Sequence, residues 1–242
     1  MRRRRPTDTV PPTDAVAPAA TEPAANAFER RVERALAKGG GRSRALAEKV
    51  AAANPGASPA DVVALLERRY RRRVSALSAA VGLTAAVPGV GTGVAALLTT
   101  ANLGSYLRAS TSFVGAVAHV HGIDVEDVAR RRTLLLAALL GEDGARALHG
   151  ELGVSTLYWG RGLLTRLPLG TVRAVNKGLS RRLVRAAAAK GGAMMLGRLA
   201  PFGIGAVVGW FVGRRLAAQV VAGARDAFGP PLLEPASPQV ST

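Results

Sequence analysis

The chain has 242 residues, of which 48% are hydrophobic and only 4% aromatic, and 33 basic residues against 16 acidic ones give a net charge of +17. The lack of cysteine excludes disulfides, zinc–thiolate sites and cysteine nucleophiles. The apolar residues are rich in Ala and Leu, which favour helices, and no run shows the alternation typical of a half-buried strand. The sequence therefore predicts an all-α protein, built as a helical bundle.

The excess positive charge predicts an anionic partner. Nearly all of the basic residues are Arg, and a charge this far from zero indicates anionic lipid, nucleic acid or an acidic protein. The start of the chain, Met1 to Pro6, is basic but is not followed by the apolar segment of a secretory signal. We expect the chain to stay in a bacterial cytoplasm or on its membrane.

Composition divides the chain into four regions. Residues 1–25 and 229–242 are rich in Pro, Thr and Ala and are predicted to be disordered tails. Residues 26–57 are predicted to form short N-terminal helices, and residues 58–228 the main helical domain.

The N-terminal helices have recognisable ends. Asn26 and Glu29 form a capping-box pattern at the start of the first helix, and Gly39–Gly41 are expected to stop it. A second helix is predicted from Ser43 to about Ala53. Ser58-Pro59-Ala60-Asp61 then supplies an N-cap, a proline at the first helical position and an acidic residue in the first turn, which predicts a helix start.

Two long apolar blocks follow, each interrupted by a proline. No charged residue lies between Val74 and Leu107, and Arg198 alone interrupts the block from Met194 to Gly213. Pro88 and Pro201 fall inside these blocks, where the missing amide donor breaks a helix. We therefore expect helix breaks at both prolines and expect the two blocks to pack against each other.

Glycines are spaced for close helix packing within these blocks. Gly205, Gly209 and Gly213 recur at every fourth residue, and Gly89 and Gly93 form a shorter version. This spacing lets another backbone approach closely, which favours a membrane setting, where helices pack in this way. The alternative is tight packing of helices inside a soluble core.

The length of each apolar block limits whether it can span a bilayer. Leu199 to Gly213 is shorter than the about 20 residues that a spanning helix needs, and the longer block is broken at Pro88. A peripheral or re-entrant arrangement on the cytoplasmic face of a bacterial plasma membrane is therefore predicted.

Between the two blocks, a helix is predicted to be capped by Asp124, to carry Arg130–Arg132 and a leucine-rich run, and to end at Gly141. No acidic residue occurs from position 152 to 225.

Within this acid-free region lies a basic amphipathic helix. Val172, Val175, Leu179 and Leu183 keep helical spacing on an apolar face. Such a helix is suited to lie on anionic lipid, although a solvated face of a core helix would look the same. The candidate lipid-binding residues beside the apolar row are Arg173, Lys177, Arg181, Arg182 and Arg185. The alternative is a soluble interaction module whose Arg-rich face binds an acidic protein or nucleic acid. Nucleic acid is the weaker alternative, because no aromatic residues interleave with the basic ones.

Catalytic chemistry has little support. His119 and His121 point to different faces of a helix, so even with Asp124 and Glu126 nearby they make a poor metal clamp. The glycines from position 89 to 93 are followed by no Lys-Ser or Lys-Thr pair, which a phosphate loop requires. We predict no catalytic residues, no cofactor and no metal.

Several stretches resemble the EcsC family of bacterial proteins. They are His121-Gly-Ile-Asp-Val-Glu-Asp-Val-Ala-Arg-Arg-Arg and the leucine run after it, Val175-Asn176, the segment from Leu196 through Pro201-Phe-Gly-Ile-Gly-Ala to Gly209, and Ala227-Phe-Gly-Pro230. The resemblance covers about residues 58 to 230. It implies a helical, membrane-associated protein without an established molecular function, and it supplies no catalytic residues. A membrane-protein partner such as an ABC transporter is also implied, and the oligomeric state stays open.

Overall fold

The computed structural model describes residues 30–36, 39–85, 92–123, 127–152, 158–160, 168–196 and 204–231. Within these ranges every regular element is a helix, so the prediction of an all-α fold is confirmed. The helices are α1 (30–36), α2 (Gly39–Ala52), α3 (Pro59–Ala85), α4 (Thr92–Val120), α5 (Val128–Leu140), α6 (Glu142–Leu152), α7 (Leu169–Leu196) and α8 (Ile204–Phe228).

Helix α3 starts where its sequence signals predict. The Ser58 hydroxyl donates to Asp61 Oδ2 at 2.7 Å and accepts from the Asp61 amide at 3.2 Å, while the Ser58 amide donates to the same carboxylate at 3.1 Å. These bonds satisfy amides that the first turn of a helix leaves unpaired. Gly141 likewise ends α5 with a positive φ of 61°, which glycine adopts without steric cost.

The predicted cap of α5 at Asp124 is wrong. Asp127 is the N-cap, and its carboxylate accepts a hydrogen bond of 2.8 Å from the Arg130 amide. An aspartate three residues before a free amide can reach it, whereas one six residues before cannot. Asp124 itself lies outside the described residues.

Helices α2 and α7 both contain consecutive glycines near one end. Helix α2 begins at Gly39 rather than Ser43, and α7 continues through Gly191 and Gly192 to Leu196. A glycine in a helix costs only about 1 kcal/mol, which packing of the rest of the helix can offset. In α2 that packing comes from Ala47 and Val50, both buried.

Helix α5 is the centre of the core. All eight of its residues from Thr133 to Leu140 are buried, and it contacts α4, α6, α7 and α8. A helix that is apolar on every side is stable only when surrounded by other helices. Val32 and Leu36 of α1 belong to the same core, so the N-terminal helices pack with the main bundle.

Helices α3 and α8 form the most extensive pair and run antiparallel. Glu67, early in α3, contacts Arg225, late in α8, whereas Ser78, late in α3, faces Gly209, early in α8. The last turns of α3 and the first turns of α8 therefore lie at the same end of the bundle.

Helix α4 is also antiparallel to α3. The Tyr70 ring of α3 stacks on Phe113 of α4 with a centroid distance of 4.5 Å, and the Tyr70 hydroxyl lies 2.8 Å from Ser110 Oγ. Only six residues separate Ala85 from Thr92 and span at most about 25 Å, so α4 must run back along α3 from this contact. The first turns of α4 therefore lie at the same end of the bundle as the last turns of α3.

Candidate functional site

Glycines bring α3 and α8 into backbone contact at this end of the bundle. A Cβ atom added at Gly209 would collide with the Ser78 carbonyl, and one added at Gly213 would lie 2.6 Å from Ser78 Oγ and 3.0 Å from the Val74 carbonyl oxygen. The expected approach of the two apolar blocks is thus present at these two glycines. Gly93 and Gly205 lie in the first turns of α4 and α8.

The remaining predicted break and packing residues cannot be placed. Pro88, Gly89 and Pro201 lie outside the described residues. The described helices end at Ala85 and Leu196, and the next ones begin at Thr92 and Ile204.

Beyond Gly213 the described side chains of α3 and α8 are half-buried or exposed. No residue in the described stretches 76–83 and 206–212 is buried, although neither stretch contains a charged residue. We call these two stretches the apolar tip. Its most exposed large side chains are Leu83, Val207, Val208, Trp210 and Phe211.

Arginines surround the base of the apolar tip. Arg73 directly precedes Val74, and Arg214 directly follows Gly213. A Cβ atom added at Gly213 would lie 3.0 Å from the Val74 carbonyl oxygen, so the two arginines lie at about one level. Arg108 of α4 lies close to the same level, because Ser110 bonds Tyr70 one turn before Val74. We call the exposed residues of this ring the arginine collar: Arg72, Arg73, Arg108, Arg214 and Arg215.

The described residues place no carboxylate against the collar. Among the described residues, none of its five members forms an ion pair with a carboxylate. Arg108 donates to Ser105 Oγ at 3.2 Å, and the Arg214 guanidinium lies 5.2 Å from the centre of the Trp210 ring. The Trp210 and Phe211 rings in turn meet edge to face at 5.0 Å. An aromatic pair thus connects the collar to the tip.

The predicted basic helix corresponds to the first two thirds of α7. Val172, Val175 and Leu179 are buried, and Leu183 packs against the core. The five cationic residues predicted beside this row are all exposed, and we call them the cationic face of α7: Arg173, Lys177, Arg181, Arg182 and Arg185.

An open groove lies between α6 and the cationic face of α7. It has a volume of about 560 Å³ and is lined by Arg182, Arg185 and Arg146, with Leu140 and Ala147 on its apolar side. Arg146 donates to Asp143 at 2.8 Å across one helical turn of α6. The Asp143 carboxylate therefore partly neutralises the groove.

Two buried polar clusters hold helices together. The Tyr70 hydroxyl meets Ser110, whose own hydroxyl donates to the Tyr106 carbonyl at 2.9 Å. Burial raises the pKa of Tyr70 well above its usual value and that of Tyr106 to about 12. Both phenols are neutral near pH 7, so this cluster links α3 to α4 without a charge.

The second cluster joins α5 to α7. Asn176 donates to the Ala129 carbonyl at 2.9 Å and accepts from the Thr133 hydroxyl at 2.9 Å. Both side chains are buried, so each satisfies polar atoms that burial would otherwise leave without a partner.

The histidine considered as a metal ligand has a different environment. His121 Nδ1 lies 2.8 Å from the Val117 carbonyl oxygen and Nε2 lies 3.0 Å from that of Gly229. Both ring nitrogens are therefore occupied by the backbone. In the described part of the chain, no group of three or more His, Cys, Asp or Glu residues is placed to hold a metal ion.

The exposed tip and its collar were not predicted as one site. In the sequence, Arg71–Arg73 directly precede the first charge-free segment, and Arg214–Arg215 directly follow the second apolar block. The antiparallel register of α3 and α8 is what places these two arginine groups at one level, and no short-range sequence signal specifies that register.

Comparison with models of known protein families, with curated proteins and with solved structures found no match. The resemblance to the EcsC family therefore stays a prediction from the sequence. Among the described helices, none is both long enough and apolar enough to cross a membrane.

Proposed function

We propose that this chain is a peripheral membrane protein that binds anionic bilayers by inserting the apolar tip of α3 and α8 into the lipid. The observation that carries the proposal is the exposure of large apolar side chains at the end of a charge-free helix pair. Val207 is 57% and Phe211 59% exposed, and they lie one helical turn apart on α8 with the exposed Val208 beside them. Contiguous apolar surface of this kind marks membrane or protein contact sites.

The charge of the chain supports lipid as the partner. A cytoplasmic leaflet has a negative surface potential that attracts basic residues, and the whole region from 152 to 225 lacks acidic residues. Arginine suits phosphate groups because its guanidinium can donate two parallel hydrogen bonds. The proposed location is the cytoplasmic face of a bacterial plasma membrane, in line with the EcsC resemblance.

Vesicle flotation of the full chain tests the proposal. We expect Val207→Ser combined with Phe211→Ser to abolish flotation, because burial of each large apolar side chain contributes about 1.5–3 kcal/mol. The matched control is Val128→Ser combined with Leu169→Ser, since these residues are 52% and 43% exposed on α5 and α7. Equal flotation of the tip variant and the parent would refute the proposal.

A second candidate function rests on the exposed cationic face of α7, which is suited to bind an acidic protein or nucleic acid. Its test is the change of Arg173, Lys177, Arg181 and Arg185 to Gln. Loss of nucleic-acid or acidic-protein binding with intact vesicle binding would favour this function. If α7 binds lipid instead, binding to anionic vesicles should weaken by up to about 4 kcal/mol, and less in high salt.

A further inference from the structure

We propose that the arginine collar binds the phosphate groups of anionic phospholipids while the apolar tip fills a single leaflet. This inference rests on the proposed function and adds to it the lipid class, the residues that recognise it and the depth of insertion. It is carried by three features of the described residues: the common level of the collar, the length of the tip, and the position of Trp210 between them.

The collar lies on three helices at one height. The contact between Gly213 and the Val74 carbonyl fixes the height of Arg73 against that of Arg214. Arg108 reaches the same height from α4 through the Tyr70–Ser110 contact. Exposed guanidinium groups at one height around an apolar projection match the planar layer of phosphates that a bilayer presents to an inserting protein.

The length of the tip matches one leaflet. From this level α3 continues to Ala85 and α8 back to Ile204, so each extends about 15 Å further at about 1.5 Å per residue. Helix α4 continues from Arg108 back to Thr92, which is about 24 Å on the same scale. The hydrocarbon core of a bilayer is about 30 Å thick, so one leaflet contributes about 15 Å. With its headgroups a bilayer is about 40–45 Å thick. When the collar is at the phosphates, α3 and α8 therefore end inside the facing leaflet, and α4 ends near the bilayer centre.

Trp210 is suited to the boundary between collar and hydrocarbon. It lies one helical turn from Arg214, its ring centre is 5.2 Å from the guanidinium, and the residue is 38% exposed. Trp prefers the membrane–water interface, because its large apolar ring carries one polar N–H. In the proposed orientation the ring lies about 6 Å below the collar, at about 1.5 Å per residue along the helix.

The electrostatic part of the inference is tested with two charge-matched variants of the full chain. The collar variant changes Arg72, Arg73, Arg214 and Arg215 to Gln. The comparison variant changes the four α7 residues named above to Gln, which removes the same charge at another surface. Binding of both variants is measured on vesicles of phosphatidylcholine alone and of phosphatidylcholine mixed with phosphatidylglycerol. A third variant changes the same four collar arginines to Lys, which restores the charge of the collar.

We expect the collar variant to lose about 100- to 1000-fold in binding to the anionic vesicles and to keep its binding to the neutral ones. The α7 variant should lose less than about tenfold on anionic vesicles, since its charges act from a distance that salt screens. The Lys version of the collar should recover most of the lost affinity. Thermal unfolding at the parental temperature would show that the exposed substitutions leave the fold intact.

Three outcomes would overturn the inference. If the collar variant binds anionic vesicles like the parent, or the α7 variant loses as much, the collar does not recognise lipid charge even though the proposed function stands. If neither vesicle binds the parent, both the proposed function and the inference fail. If the parent self-associates without vesicles and the Val207→Ser, Phe211→Ser chain does not, the tip is covered by a second copy instead.

Depth is tested by quenching of Trp210 fluorescence with brominated phospholipids. Trp159 is only 2% exposed within the body of the protein, so it should contribute a constant signal, and Trp210→Leu should remove the quenching. We expect stronger quenching by bromines near the headgroup end of the acyl chain than by bromines near its methyl end. The opposite order would contradict the proposed position of the collar.

Discussion

Arg225 and Glu67 join the two helices that carry the apolar tip through a bidentate ion pair. Arg225 Nε donates to Glu67 Oε1 at 2.7 Å and Nη2 donates to Oε2 at 2.5 Å, and the hydrogen bond raises the pKa of the guanidinium. The Glu67 side chain is 7% exposed and that of Arg225 63%. The pair therefore has one partner that water cannot reach and one that it can.

This asymmetry predicts unequal costs for removing the two partners. Among the described residues, Arg225→Ala leaves the buried Glu67 carboxylate with only Arg71, at 3.9 Å. This change should lower the free energy of unfolding by about 1–3 kcal/mol. Glu67→Gln should cost less, because the exposed guanidinium is then solvated. Urea unfolding of both variants measures the difference, and a larger loss for Glu67→Gln would contradict this explanation.

The contact of Gly209 with Ser78 predicts that any side chain there is destabilising. Gly209→Leu should lower the free energy of unfolding by about 1–3 kcal/mol through overpacking, and Gly209→Ala should also destabilise, because its Cβ would meet backbone atoms. The matched control is Gly104→Ala in α4, where a Cβ meets nothing within 4 Å. That change should be neutral or stabilise by up to about 1 kcal/mol. Thermal unfolding compares the two, and similar melting temperatures for both Ala variants would refute the role of Gly209.

Buried tyrosines predict a loss of stability at alkaline pH. Desolvation raises the pKa of Tyr106 to about 12, whereas a tyrosine in the unfolded chain has a pKa of about 10. The folded state therefore holds the proton that the unfolded state releases, so this contribution to stability is complete below about pH 10 and falls as the pH rises toward about 12. Tyr106→Phe should make the urea midpoint less dependent on pH in this window, whereas Tyr158→Phe, at an exposed ring, serves as the control. An unchanged pH dependence in Tyr106→Phe would contradict the assignment.

The hydrogen bonds of Asn176 predict that another polar side chain cannot replace it at the α5–α7 interface, because this position needs both a donor and an acceptor. Asn176→Asp keeps the size of the side chain but loses the donor to the Ala129 carbonyl and introduces a buried charge. We expect it to lower the free energy of unfolding by more than Asn176→Ala, whose cost should be about 1–3 kcal/mol. Equal unfolding midpoints for the two variants would show that water already reaches this interface.

Local signals predicted the helix features that depend on neighbouring residues. The Ser58–Asp61 cap, the end of α5 at Gly141 and the buried row from Val172 to Leu179 follow from interactions within one or two turns. The cap of α5 was placed at Asp124 rather than Asp127 because several acidic residues precede the helix, and only the final backbone geometry selects the one that reaches the Arg130 amide. The arginine collar was missed because its members meet through helix register, not through sequence spacing.

The sequence by itself determined that the chain is helical, where its charge-free segments lie and which face of α7 is apolar. Only the tertiary structure decided which apolar residues are covered. Helix α8 carries two identical pairs, Val207-Val208 and Val220-Val221, yet the first pair is 57% and 40% exposed and the second is 0% and 1% exposed. The physical reason is where α5 ends. Ala138 of α5 packs against Gly223 of α8, and Gly141, at the end of α5, packs against Gln219. The N-terminal turns of α8 therefore project beyond the core.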